Sequence, residues 1–275
     1  MKRNILDKAY SLKSKCLAGD VSFGMTITTG NKEISEIVSN HDDIDFVLVD
    51  LEHTTMGLNN LHTILMGLNH TNIVPIVRIH SEAVSAIQRS LDLGVGGVIF
   101  PMVKSIHELE YKISLCKYPP QGTRGFGPKR AISYTSNANS YFSEANKSLI
   151  TILLIEHIDA INEIDKILKV SGLDAVFIGP VDLALSMGLG IDGLDNNLEL
   201  SEVVSSIIRS CKSSRIPLMM VAPSGKEQIM KLLNDGVTLI GLGTDMAMFD
   251  AILKEKLKNA KETLKFYSKK GDKWK

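Results

Sequence analysis

Four places along the chain gather side chains suited to acid–base, metal or anion chemistry. They are Asp50-Leu51-Glu52-His53, Arg78-Ile79-His80, Glu156-His157 and Gly179-Pro180-Val181-Asp182. Glu156 and Asp182 lie 26 residues apart. Two carboxylates, with the other ligand positions left to water and substrate, suit Mg2+ or Mn2+ better than Zn2+, and other divalent metals remain open. The structural alternative is capping, Glu156 for a helix that starts at 157 and Asp182 for one that follows it. His53 is a candidate general acid–base group because an imidazole titrates near neutral pH; the alternative is an exposed histidine that opens a loop. Asp50, three residues earlier, could orient His53 or a water on the metal, or be a polar residue that ends a strand. Arg78 follows the apolar run Ile73–Val77, where a guanidinium is costly unless it meets a carboxylate or a bound anion. Asp50 and Glu52 are its partners in the structural reading. The amides just after Pro180 would point out of a helix N-terminus, which suits a carboxylate or phosphate group.

These groups need a scaffold that brings them together, and the hydrophobic pattern supplies one. Short apolar runs recur at 22–28, 45–52, 73–79, 96–103, 149–156, 174–180, 216–222 and 239–245. Most are continuous, not alternating, as expected of parallel strands buried on both faces. Segments with helical periodicity lie between them, among them 82–94, 157–170 and 225–236, the last ending on Gly236 as a C′ residue. Eight strands with helical crossovers predict a (β/α)8 TIM barrel, an α/β fold, with an open doubly wound sheet as the competitor. An extra helix is expected at Ile5–Cys16, a long amphipathic C-terminal helix at 246–268 and a charged tail at 269–275. A barrel takes about 250 residues, so the whole chain 1–275 reads as one domain. In such a barrel the βα loops form the catalytic face, and the four clusters converge on it because each ends a strand. Two connections are long, 104–148 and 183–215; the first is expected to hold one helix and then a Pro/Gly/Ser-rich loop.

Composition limits the remaining choices. Lys plus Arg and Asp plus Glu are 31 each, so no basic footprint points to nucleic acid. No window approaches the ~20 apolar residues of a membrane span. The N-terminus alternates charged and apolar residues and does not read as a signal peptide. Three scattered cysteines fit a reducing compartment. A cytoplasmic protein without nucleic-acid or membrane partners is the expectation.

The stretches VDLEH (49–53), VRIH (77–80), LDLGVGGVIFPMV (91–103), YPPQGTRGFGPKRA (118–131), LLIEH (153–157) and GLDAVFIGPVDLALSMG (172–188) resemble the HpcH/HpaI aldolase family in order along the chain. The resemblance implies a class II pyruvate aldolase, of the 2-keto-3-deoxy sugar-acid or 4-hydroxy-2-oxo-heptanedioate type. Such an enzyme uses a divalent metal to interconvert a 2-keto-4-hydroxy acid with pyruvate and an aldehyde. Glu156 and Asp182 match the metal ligands, and Arg78 matches the arginine that holds the keto oxygen and stabilises the enolate. His53 matches the acid–base histidine, with Asp50 in its water network. Pro180, the Val181 backbone and the loop from Gly125 to Gly127 would contact the substrate. Asp92 matches the histidine's partner, yet it closes a helix at the opposite end from the strand tips; a neighbouring subunit could supply it, so its own site and a neighbour's both stay open. The resemblance also implies a homo-oligomer, a hexamer among the arrangements, with active sites near subunit interfaces; the amphipathic helix 246–268 is a candidate element for exchange between copies. Leu154 departs from the pattern, since the family often carries a polar residue, commonly Gln, two before the metal-binding Glu. Oxaloacetate decarboxylation through the same enolate is one alternative activity, and a non-catalytic pyruvate- or oxalate-binding barrel is another.

Overall fold

The computed structural model describes residues 4–80, 84–135, 138–192, 197–222 and 225–269. The expected helix start at 82–83 and most of the charged tail, 270–275, lie outside the described residues. Eight parallel strands close into a barrel in sequence order: β1 (Ser22–Ile27), β2 (Phe46–Asp50), β3 (Val74–Arg78), β4 (Gly97–Phe100), β5 (Ile150–Ile155), β6 (Ala175–Ile178), β7 (Leu218–Val221) and β8 (Leu239–Thr244). Pairing of β8 with β1 completes the ring and rules out the open sheet. The helices are α1 (Ile5–Leu17), α2 (Lys32–Val38), α3 (Leu58–Gly67), α4 (Val84–Leu93), α5 (Ile106–Ser114), α6 (Ala138–Ser148), α7 (Ile158–Asn162), α8 (Ile164–Ile167), α9 (Pro180–Ser186), α10 (Leu198–Ser214), α11 (Lys226–Asn234) and α12 (Asp245–Lys269).

Each strand buries both faces, which is why its sequence reads as a continuous apolar run. Phe46, Leu48, Val74, Ile76, Ile150, Ile152, Leu154, Ala175 and Phe177 fill the barrel interior. The alternate residues Val47, Val49, Val77, Leu153, Ile155, Val176 and Ile178 pack outward under the helices. Helix α1, started by a capping box between Asn4 and Asp7, adds Ala9, Leu12 and Cys16 to the interior cluster and seals the N-terminal end of the barrel. Burial of this kind contributes about 1.5–3 kcal/mol per large apolar side chain, enough for a fold that concentrates charge at its open end.

Three elements differ from expectation. The helix expected over 157–170 breaks into α7 and α8 at Glu163, whose carboxylate leaves the helical register to accept a hydrogen bond from Ile106 N. The 104–148 connection holds a second helix, α6, with a polar sequence in which only Tyr141, Ala145 and Ser148 are buried, at i, i+4 and i+7. Helix α12 is present as expected, but every described side chain from Phe249 to Ser268 is exposed. At ~1.5 Å per residue it reaches about 37 Å from its root on the barrel. That root is fixed by Asp245, whose two carboxylate oxygens accept from the backbone and hydroxyls of Thr28 and Thr29 at 2.5–3.0 Å.

Candidate active site

Strand parity carries the charged residues into the mouth. The interior residues of β2 are Phe46 and Leu48, and the next in phase is Asp50; in β3, Val74 and Ile76 lead to Arg78. Asp50 and Arg78 are register partners. The interior column of β5, Ile150, Ile152 and Leu154, leads one residue past the strand end to Glu156. The apolar layers of the barrel therefore end in a charged layer at the C-terminal rim, where loops of this fold build active sites.

Asp50 and Arg78 form a two-point pair. Arg78 Nε donates to Asp50 Oδ1 at 2.9 Å and Nη2 donates to Oδ2 at 2.6 Å. Asp50 Oδ1 also accepts from the backbone N–H groups of Glu52 and His53, at 3.0 and 3.4 Å, so one carboxylate orients both the guanidinium and the loop that carries His53. Burial pushes the Asp50 carboxyl up, but the bond and charge of Arg78 and these backbone donors outweigh it and hold the pKa below the usual range. Burial pulls Arg78 down, and Asp50, Glu52 and Glu156 together hold it above its ordinary value. The pairing that the structural reading of Arg78 anticipated is thus present.

Glu156 is 3% exposed. Its Oε1 accepts from Met102 N at 2.6 Å. Met102 sits just beyond β4 with φ of 52°, a left-handed conformation unusual for a non-glycine residue, and this aims its N–H into the mouth. Burial, then the negative charges of Glu52 and Asp182, push the Glu156 carboxyl up to about 7 against the Met102 bond and Arg78. Gly179 makes room for it, because a Cβ there would lie 3.2 Å from Glu156 Cβ and 3.1 Å from Leu154 Cδ1. Asp182 stands in the first turn of the seven-residue helix α9, behind Pro180 and an exposed Val181. Capping does not account for these acids: His157 caps α7, accepting from Asp159 N, and Gly179 is the N-cap residue of α9.

Glu52 joins this group although the strand pattern gave it no role beyond pairing with Arg78. Its Oε2 is buried without a hydrogen bond, 3.5 Å from Arg78 Nε and 3.7 Å from His53 Nε2. Burial raises its pKa, Arg78 and the histidines His53 and His80 oppose this, and Asp50 adds to it. His53 itself projects from the rim with 62% of its side chain exposed.

Asp92 and Gly127 lie together elsewhere. Asp92 accepts from Arg124 Nη2 at 2.9 Å, and a Cβ on Gly127 would lie 2.9 Å from Asp92 Oδ2. They line a flanking cavity with Leu58, His62, Arg89 and Lys129. Among the described residues no ion pair joins Asp92 to His53 within one chain. Gly125 is exposed, with open space around it. Arg124, which holds Asp92, is buried against Tyr118 and Tyr141; the loop sequence alone did not single it out.

The closed parallel barrel thus ends its interior columns in Asp50, Arg78 and Glu156, with Asp182 and Glu52 beside them, an acid-rich mouth at the C-terminal rim. The chain belongs to the HpcH/HpaI aldolase/citrate lyase family, which it matches over residues 24–251. It is 33% identical over 204 residues to 2-dehydro-3,6-dideoxy-6-sulfogluconate aldolase of Pseudomonas putida, covering 74% of this chain and 79% of that one. It is 27% identical to 2-keto-3-deoxy-L-rhamnonate aldolase of Shigella dysenteriae over 89% of this chain and 91% of the relative. Among solved structures, the HpcH/HpaI aldolase of Desulfitobacterium hafniense superposes with a TM-score of 0.84 at 26% identity, covering 91% and 96% of the two chains. The named relatives are aldolases, and the chain is an enzyme of this family. Among the described residues no helix is long and apolar enough to cross a membrane.

Proposed function

We propose that the protein is a divalent-metal-dependent aldolase that interconverts a 2-keto-4-hydroxy acid with pyruvate and an aldehyde. The observation that carries this reading is the charge imbalance at the mouth. Asp50 already neutralises Arg78, while Glu156, Asp182 and Glu52 crowd together, with Glu156 pushed up to about 7 and Glu52 Oε2 lacking a hydrogen bond. A buried carboxylate with two half-buried ones beside it favours a cation, and oxygen donors of this kind fit Mg2+ or Mn2+ held by Glu156 and Asp182. When bound, the metal supplies Lewis-acid polarisation of the substrate's keto group.

The chain's own residues do the rest. Asp50 fixes the plane of the Arg78 guanidinium, which faces the interior axis and would meet the negative charge that develops on the keto oxygen as the carbon–carbon bond breaks. The amides of Val181 and Asp182 precede the first intrahelical bond of α9, Leu183 N to Gly179 O at 3.1 Å, and would donate to the substrate carboxylate beside Pro180. His53, exposed at the rim, would take the proton of the 4-hydroxyl, directly or through water, as the C3–C4 bond breaks. A proton from water would then go to C3 of the enolate to give pyruvate, and the synthetic direction reverses both transfers. Release of pyruvate from 2-keto-3-deoxy acids, read by coupling to lactate dehydrogenase, should require Mg2+ or Mn2+ and vanish in Glu156→Ala. Full activity in excess chelator would overturn the metal role, and turnover confined to oxaloacetate would turn the reading toward a decarboxylase.

The same reading places the sites near contacts between copies. Helix α12 carries Met246, Phe249, Leu253, Leu257 and Leu264 exposed along one stripe. Beside its root lies an apolar groove of about 400 Å³ lined by Met25, Ile34, Ile37, Val38, Ile44 and Leu242. A homo-oligomer in which α12 of one copy covers this groove on the next would bury both apolar surfaces. Light scattering should give a mass above one chain, and removal of α12 beyond Met248 should reduce it; a monomeric full-length protein would refute the assembly.

A further inference from the structure

At the opposite end of the barrel from Glu156 lies a cavity of about 320 Å³, enclosed by the start of α1, the end of α3, the start of β3 and the 130–133 loop. Its polar lining is Asn4, Lys8, Asn69, His70, Arg130 and Ser133, and among the described residues no carboxylate lines it. Arg130 Nη1 donates to Leu93 O at 2.7 Å and Nη2 to Leu65 O at 2.9 Å, so the guanidinium closes the C-terminal ends of α4 and α3. These carbonyls bring only the partial charge of helix ends. Lys8 adds a second full positive charge with no ion pair among the described residues. Nearby acids are engaged elsewhere: Asp7 accepts from Asn4 N, and Asp45, on the neighbouring pocket that Lys8 also lines, is bound by Lys15 at 2.8 and 2.9 Å. Burial and the facing charge of Arg130 pull Lys8 below its ordinary pKa, and burial pulls Arg130 down as well.

We infer that this cavity is a binding site for a small dianion, a phosphate group or a compact dicarboxylate, held between Lys8 and Arg130 with amide and hydroxyl donors from Asn4, Asn69 and Ser133. Two like charges brought together in a half-buried pocket repel each other, and a doubly charged oxyanion is the ligand that would relieve both. The volume admits a molecule larger than inorganic phosphate, such as a phosphate monoester. The site is separate from the catalytic mouth and does not depend on how that mouth is read.

The probes are inorganic phosphate and succinate, titrated against the full-length protein in its native oligomeric state at ionic strength matched with chloride, by calorimetry and thermal shift. Saturable stabilisation by one or both is expected, and which one responds separates the phosphate source from the dicarboxylate source. Lys8→Met should weaken binding by at least about tenfold, in keeping with loss of one charge-assisted contact. Its ligand-free melting temperature should be unchanged or higher because the repulsion is gone, and its basal activity should be unchanged. Arg130→Lys, which keeps the charge but not the fork, should weaken binding with some loss of stability. Equal saturable stabilisation in wild type and Lys8→Met would overturn the inference. So would the absence of saturable binding in the native oligomer, including the case in which a second copy fills the cavity.

Discussion

The two ends of the barrel present opposite electrostatic problems. At the C-terminal rim, Asp50, Glu52 and Glu156 face the half-buried guanidinium of Arg78, with Asp182 beside Glu156. At the N-terminal end, Lys8 and Arg130 share a cavity that no carboxylate lines among the described residues. Burying like charges costs free energy, so neither arrangement is explained by folding alone. The difference lies in how each end is built. Strand parity carries Asp50, Arg78 and Glu156 inward, so their placement is as rigid as the barrel. The floor charges come from a helix and a loop that meet only because α1 plugs the barrel. Pre-organisation of the first kind suits chemistry, which needs reacting groups held in place; the second kind suits binding.

The comparison breaks most sharply at Glu156. Glu156→Gln keeps an oxygen for Met102 N but removes the charge, and pyruvate release should fall roughly 10³-fold, equivalent to about 4 kcal/mol of barrier. The metal-induced thermal shift should disappear, while any shift given by phosphate at the floor stays intact. If both shifts vanished together, the two ends would not be independent.

Arg78→Met tests whether the rim pair is structural as well as functional. It leaves Asp50, 3% exposed, with an unpaired buried charge, for a cost of about 3–5 kcal/mol. Adding Asp50→Asn should recover much of the stability in chemical denaturation, and no activity. Recovery of turnover in the double variant would show that Arg78 only balances Asp50.

A proton should compete with the cation at the rim. The folded protein without metal holds a proton on Glu156 up to about pH 7, whereas the unfolded chain releases it near 4.5. The native state therefore binds more protons between these values, and the metal-free protein gains stability as pH falls from 8 to 5. This gain is complete below 4.5 and is lost as pH rises through 7. Mg2+ affinity should change the other way, weakening as pH drops below about 7 because the proton must leave first. Melting curves in chelator across this range, with Glu156→Gln as a flat control, check both signs.

How much of this was legible in the sequence follows from the same contrast. The barrel and the gathering of Asp50, Arg78 and Glu156 at its mouth could be read because continuous apolar runs and strand ends are local signals. Met102 could not be found that way, since it contributes a backbone N–H aimed by an unusual φ, and any side chain supplies such a donor. Glu52 lies just past β2, where strand phase no longer predicts direction. Asp92 was legible as a residue but not as the partner of Arg124, because that pair depends on how the 124–131 loop folds back on α4. Lys8 and Arg130 are distant in sequence and share no element, so no pattern links them until α1 docks.

The smallest expected effect concerns Leu154, where the family resemblance leads one to expect a polar residue. Leu154 is 1% exposed, points inward one step below Glu156, and would lie 3.1 Å from a Cβ on Gly179. An apolar neighbour there keeps Glu156 desolvated without offering a donor, which favours the protonated acid and, if Glu156 holds the proposed metal, would slow metal entry at neutral pH. In Leu154→Gln, an amide N–H within reach of the Glu156 carboxylate would favour its charged form. Half-maximal Mg2+ binding should then move to lower pH by less than about one unit, and kcat should rise by less than about tenfold. Burying the amide among Ile152, Phe177 and Gly179 would cost about 1–3 kcal/mol unless that bond forms. A stability loss of this size with no shift in the metal-binding pH would mean that Leu154 serves packing alone. A pH shift with little stability loss would mean that the rim's proton–metal balance is tuned from the apolar layer beneath it.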